Sequence, residues 1–310
     1  MRLVSLVPVG TKINFLQFRK IGMGLSLILC IASAALFFTK GLNYGIDFEG
    51  GILIEVRTQG PADIGTMRGQ ISSLGLGHIE LQEFGQATDV LIRVERQPGG
   101  ADAQNEAVER VKSTLGGTVD YRRVEFVGPK VSGELVQAGI TAVLLALAAM
   151  LLYIWFRFEW QFGVGAVIAL GHDVLLTVGM FSLLGLEFNL STVAAILTIA
   201  GYSINDTVVV YDRVRENLRK YKVMDLIELL NLSLNDTLSR TLLTSITTLL
   251  ALGILYFFGG EVLKGFSFAM IWGVLVGTYS SLIVATPLLI QMKLRRSAFD
   301  SQEGEEEAAS

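Results

Sequence analysis

Apolar runs long enough to cross about 30 Å of hydrocarbon recur six times along the chain, at residues 21–38, 135–156, 162–186, 188–211, 241–258 and 266–292. Between the first and second lies a stretch whose polar and apolar positions change period repeatedly. Residues 51–58 (GILIEVRT) alternate as a strand, and 61–74 have helical spacing with Pro61 in the first turn. Residues 78–84 and 89–96 read as strands joined by a short glycine-containing turn. Ala103, Ala107, Val111 and Leu115 fall on one face of a second helix, and 119–127 reads as a closing strand. The order β-α-β-β-α-β is that of a ferredoxin-like split βαβ unit. The expected fold class is an α-helical integral membrane protein of six transmembrane helices, with one ferredoxin-like α+β domain between helices 1 and 2.

Short-loop lysines and arginines set the orientation. Arg2, Lys12, Arg19, Lys20, Arg157, Arg213, Arg215, Arg219, Lys220, Lys222, Lys293, Arg295 and Arg296 fall on one side, and Lys264 alone on the other. The chain is thus expected to comprise a cytoplasmic segment (1–20), a retained first span (21–40) and an extracytoplasmic, periplasmic domain (41–131). A five-helix bundle (132–292) follows, with a cytoplasmic stretch at 212–239 whose apolar positions Val223, Leu226, Ile227 and Leu230 suggest an amphipathic interfacial helix, and then a cytoplasmic acidic tail (293–310).

Composition agrees. Of 310 residues, 51% are hydrophobic and only 17% charged, against about 25% charged in soluble domains. The net charge of -4, with no basic patch interleaved with aromatics, argues against nucleic acid as a partner. The single cysteine, Cys30, has no intrachain disulfide partner.

Against this apolar background Asp206 stands out as the only charge in 188–211. On insertion scales such a group costs roughly 2.5–3.5 kcal/mol at a helix centre, which makes it a default candidate for a proton or ion pathway. It lies about six residues, or roughly 9 Å, inside the cytoplasmic boundary. Arg240, at the start of the next span, falls near the same depth and can reach it if the helices are neighbours. Three readings are open: a proton relay alternating between paired and protonated states, a static ion pair fixing helix register, or an arginine snorkelling to headgroups. Gly201, Ser203 and Asn205 precede Asp206, and Thr241, Thr244, Ser245, Thr247 and Thr248 could line a water file opposite. His172 and Asp173 form a second polar site near mid-span, as a relay or coupling pair or as a structural one. Adjacent helical residues point about 100° apart, so these two are not expected to face one spot.

No catalytic constellation is present. The two histidines, far apart and outside H-E-x-x-H spacing, make a poor metal site. Tyr211-Asp212 lacks the Gly-x-Gly-Asp partner of an intramembrane aspartyl protease, and no phosphate-binding loop implies ATP. The expectation is a non-enzyme without metal or cofactor.

Several segments in order resemble the SecF branch of the SecD/SecF protein-export family: LNYGIDFEGG (42–51), VEFVGPKV (124–131), FRFEW (156–160), ALGHDV (169–174), GYSINDTVVVYDRVREN (201–217), LSRTLLTSITTLLA (238–251) and FGGEVLKGFS (258–267). The resemblance implies half of an RND-type pseudo-symmetric bundle in the bacterial inner membrane. It implies SecD, the SecYEG channel, YajC and a preprotein as partners, and the proton gradient as energy source. It places the relay on Asp206 and Arg240, and outer-surface turns at Gly50-Gly51 and Gly259-Gly260. The alternative is an RND half-permease exporting lipids or small hydrophobic molecules. A scaffold whose polar spans serve only assembly is a third reading.

Overall fold

The computed structural model describes residue 8, residues 11–292 and residue 294. Arg2, Lys293, Arg295, Arg296 and the rest of the acidic tail, residue 294 excepted, lie outside the described residues. The chain divides into two compact units: the helical spans, and a smaller unit built from Asn43–Ala142 with Glu187–Ser191.

The smaller unit contains β1 (Asn43–Tyr44), α2 (Ile46–Glu49), β2 (Gly51–Thr58), α3 (Ile64–Ser72), β3 (Ile79–Phe84), β4 (Gln86–Val94), α4 (Gly100–Leu115) and β5 (Val119–Val127). The sheet order is β3-β4-β2-β5 with every pair antiparallel, which is the split βαβ arrangement. Its alternation sorts the faces. Ile52, Ile54, Val56, Val90, Ile92 and Val94 pack against Met67 and Ile71 of α3 and Ala107, Val108, Val111 and Leu115 of α4. On the opposite face Leu53 and Leu91 are covered by Ile46 of α2. Pro61 does not open α3 as the sequence suggested. Asp63 does, because its side chain accepts the Thr66 backbone N–H at 3.0 Å and so caps the first turn. These bonds also hold Asp63 below the usual carboxylate range.

Gly50 and Gly51 make the turn into β2 with φ of 72° and 119°. A Cβ on Gly51 would lie 2.8 Å from the Val94 carbonyl oxygen, and one on Gly50 3.1 Å from that of Val127. Both the conformation and the space demand glycine. An unanticipated feature is β1, which pairs in parallel with β6 (Glu187–Phe188) from the connection between two spans.

Among the described residues six helices are long and apolar enough to cross a membrane. They are α1 (Arg19–Lys40), α5 (Pro129–Arg157), α6 (Trp160–Leu184), α7 (Leu190–Lys220), α8 (Leu226–Phe258), and a final span of α9 (Glu261–Ser280), a π-helical turn (Ser281–Ala285) and α10 (Thr286–Gln291). Gly259 and Gly260 turn the chain between α8 and α9, with Gly260 at φ 80°. Gly179 of α6 closes against Ser33 of α1, and Gly273 of α9 against Ile199 of α7. Small residues thus let the backbones approach, as membrane helices require.

The expected interfacial stretch at 212–239 is not a separate amphipathic helix. α7 runs on to Lys220, and α8 begins at Leu226 with Asp225 accepting the Ile227 N–H at 2.9 Å. Of the apolar positions that suggested a membrane-surface face, Leu230 is buried in the bundle core and Leu226 and Ile227 pack against it, whereas Val223 is exposed; Val214, Leu218, Leu229 and Leu234 join the same core. Asn217 Nδ2 donates to Ser233 Oγ (2.9 Å) and Asp236 Oδ2 (3.3 Å), fastening the two extensions. α8 also clamps the chain before α1. Asn235 accepts the Ile13 N–H (2.9 Å) and donates to the Ile13 carbonyl (2.8 Å), while Asn231 accepts the Leu16 N–H (3.1 Å).

Candidate functional site

The site is built where α6, α7, α8 and the last span meet. Asp206 sits on the buried face of α7. Thr241 Oγ1 of α8 donates to its Oδ1 at 2.7 Å, and Ser281 Oγ of the π turn donates to its Oδ2 at 2.6 Å. Arg240, although adjacent to Thr241, is exposed on α8 and joins no ion pair among the described residues. Its charge acts on Asp206 without contact. The anticipated Asp206–Arg240 approach is therefore electrostatic rather than a salt bridge: one residue step, about 100° around the helix, separates the inward threonine from the outward arginine.

Asp173 of α6 is fully buried and carries a larger shell. Ser203 Oγ of α7 and Ser280 Oγ (2.7 Å) both donate to its Oδ2, and His172 Nδ1 lies 2.8 Å from its Oδ1. The expectation that His172 and Asp173 face different spots is corrected here. The imidazole folds along the helix so that Nδ1, the ring nitrogen nearer the backbone, meets the next residue's carboxylate. His172 Nε2 is buried without a hydrogen-bond partner, and its ring lies beside Tyr279, with centroids 6.2 Å apart.

Ser203, grouped with Asp206 on sequence grounds, serves Asp173 instead. Asn205 is exposed on α7, as is Gly201. Of the hydroxyl series on α8, only Thr241 reaches Asp206. Ser245 links Tyr202 (3.1 Å) to Thr278 (2.8 Å). Thr244 and Thr247 bond to their own helix carbonyls.

Sequence reasoning missed Ser280 and Ser281. The available signal was the run Thr278-Tyr279-Ser280-Ser281, four hydroxyl side chains in succession inside an apolar span. Their opposite assignments, Ser280 to Asp173 and Ser281 to Asp206, follow from adjacent residues pointing about 100° apart at the point where the helix widens. π turns of this kind recur at functional sites. Among the described residues no group of three or more His, Cys, Asp and Glu could hold a metal ion.

Comparison with known proteins gives a consistent result. The C-terminal region of the SecD/SecF protein export membrane proteins matches residues 107–295, and the SecD/SecF GG motif matches residues 35–62, around Gly50-Gly51. Protein translocase subunit SecF of Rickettsia felis is 46% identical over 299 residues, covering 94% of this chain and 96% of that protein. SecF of Rhodobacter capsulatus is 46% identical over 309 residues, covering 95% and 93%. The crystal structure of SecDF from Thermus thermophilus, a translocon-associated membrane protein, superposes with a TM-score of 0.85 at 38% identity. That match covers 94% of this chain but only 40% of the SecDF chain. With two motif regions, near-full-length relatives and a shared architecture in agreement, the chain belongs to the SecD/SecF protein-export membrane protein family.

Proposed function

We propose that this chain is a multi-pass subunit of the bacterial protein-export machinery that uses the proton gradient, through Asp206, to drive movement of preproteins. The observation that carries the reading is the coordination of Asp206: a buried carboxylate held by two neutral hydroxyls, with a cation near it but not on it. Two hydroxyl donors stabilise the ionised form, yet either can accept from the protonated acid. Such a group can gain and lose a proton without breaking a buried salt bridge, which would be far more costly. One charge moved across 100 mV is worth about 2.3 kcal/mol, enough to bias an extramembrane domain between two positions.

A partner of the same kind fits the surface of the bundle. Thr198, Gly201 and Asn205 form an exposed stripe on α7, and Arg240, Thr244 and Thr247 another on α8. Polar groups at these depths are unfavourable against lipid and are suited to a second helical half. A SecD-type subunit is the proposed occupant, with the SecYEG channel, YajC and the preprotein as further partners. The arginines and lysines at the α7–α8 connection support a cytoplasmic position for that end and for both termini, in the inner membrane. The β-sheet domain then lies in the periplasm. No cofactor is invoked.

The test is preprotein transport into inverted membrane vesicles containing the complex, with and without a proton gradient. The gradient-dependent component should vanish in Asp206→Asn while assembly with the partner persists. Parental gradient dependence in that variant would refute the reading.

A further inference from the structure

Each serine hydroxyl at the head of the π turn carries one proton and faces two acceptors. Ser281 Oγ is 2.6 Å from Asp206 Oδ2 and 3.0 Å from the Thr278 carbonyl oxygen. Ser280 Oγ is 2.7 Å from Asp173 Oδ2 and 3.2 Å from the Gly277 carbonyl oxygen. The other hydroxyls on the two acids, Thr241 and Ser203, have no second acceptor among the described residues. Only the two adjacent serines can therefore turn away from an acid without losing a hydrogen bond.

We infer that Ser280 and Ser281 are positioning residues that convert the protonation of Asp173 and Asp206 into a change at the π turn of the last span. The exchange is balanced. An ionised Asp206 accepts from Ser281. When a proton from water adds to Oδ2, the new acid O–H donates to Ser281 Oγ, and the serine proton rotates onto the Thr278 carbonyl. Asp173 and Ser280 do the same toward Gly277. Gly277 O also receives the Ser281 backbone N–H, so an added side-chain donor competes with the helix's own bond. Serine back-bonding of this kind bends helices. Here it falls where the ladder is already widened and where Thr286 Oγ1 donates to the Ser281 carbonyl at 2.9 Å.

The charged and titratable groups facing this arrangement are few. Arg240 of α8 acts on Asp206 from outside contact. Asp173 is faced by His172 on its own helix and, electrostatically, by Cys30 of α1. Tyr279, beside His172, donates to the Gly22 carbonyl of α1 at 2.9 Å.

The inference rests on Asp206 exchanging a proton, and the experiment separates the two claims. The full-length chain in lipid nanodiscs is titrated while infrared spectroscopy follows carboxylic C=O bands and hydrogen exchange follows residues 281–286. Loss of one titrating band in Asp206→Asn supports proton exchange at that residue, and an unchanged set of bands overturns it. Given that loss, the parent should show a pH step in π-turn protection, corrected for intrinsic exchange, and Ser281→Ala should lose the Asp206-linked part while the acid band still titrates at a shifted frequency. Ser280→Ala should lose only the remainder, which Asp173→Asn also removes. A pH step that survives unchanged in Ser281→Ala, or that is missing in the parent, overturns the inference and leaves the relay intact.

Discussion

Two buried aspartates, one in the β-sheet domain and one in the helical bundle, meet the same problem in different ways. Asp89 on β4 is gripped by Arg57 of β2 through two hydrogen bonds, Nε to Oδ1 at 2.6 Å and Nη2 to Oδ2 at 2.8 Å. Asp206 has an arginine in its neighbourhood but takes its hydrogen bonds from Thr241 and Ser281. A bidentate guanidinium fixes both charge and geometry, so the first arrangement is a lock. Hydroxyls can donate or accept, so the second tolerates both protonation states. Burial alone does not distinguish the two acids; the chemistry of their partners does.

The largest predicted effect breaks the comparison on the bundle side. Asp206→Asn is expected to lower gradient-dependent export by at least about tenfold, the loss of roughly 1.4 kcal/mol of coupling, with insertion unaffected. Thr241→Val removes one of two donors to the carboxylate at nearly constant shape. Hydrogen bonds to charged groups contribute about 1.5–3 kcal/mol, so export should fall by about tenfold and its pH profile should shift. An unshifted profile would mean that Thr241 only packs.

Arg240→Ala should cost less, about three- to tenfold in export, as a screened charge acting across a gap of about 1 kcal/mol. Arg240→Lys should recover most of it, because charge rather than fork geometry is used. If lysine fails, the two residues pair directly in another state, and the contrast with Arg57 narrows.

The smallest effect on transport is expected on the domain side. Arg57 holds Asp89 below the ordinary carboxylate range, mainly through their hydrogen bonds. A depressed folded pKa contributes stability above the unfolded value and loses it as pH falls through the folded one, here below about pH 4. Arg57→Gln should weaken the domain at neutral pH and flatten its loss of protection in acid, read by hydrogen exchange in β2 and β4. Export should stay within about twofold of the parent, as for substitutions away from a working site.

Much of this was legible in the sequence because periodicity and hydrophobicity report burial directly. The six spans, the βαββαβ order and the Gly50-Gly51 turn were all readable, as was Asp206, an isolated charge in an apolar run. Partner identity was harder. Whether Thr241 or Arg240 touches Asp206 depends on helix rotation, which residue depth along the axis does not encode. The roles of Ser280 and Ser281 were missed for a related reason: their hydroxyl run is visible in the sequence, but a π turn alters the angular phase of the last span, so which acid each serine meets is not. The 212–239 stretch misled because an apolar helical face looks the same whether it meets lipid headgroups or a neighbouring helix.

The asparagine clamp on α8 carries a consequence for biogenesis. Asn235 and Ile13 are joined across 222 residues of sequence, so the segment preceding the first span has no place to dock until α8, the fifth span, has been made. Closure over so long a loop is slow compared with local helix formation. Early in synthesis the leading segment is thus held by its own membrane anchor alone. Its final capture becomes a late checkpoint on whether the fifth span has entered in register.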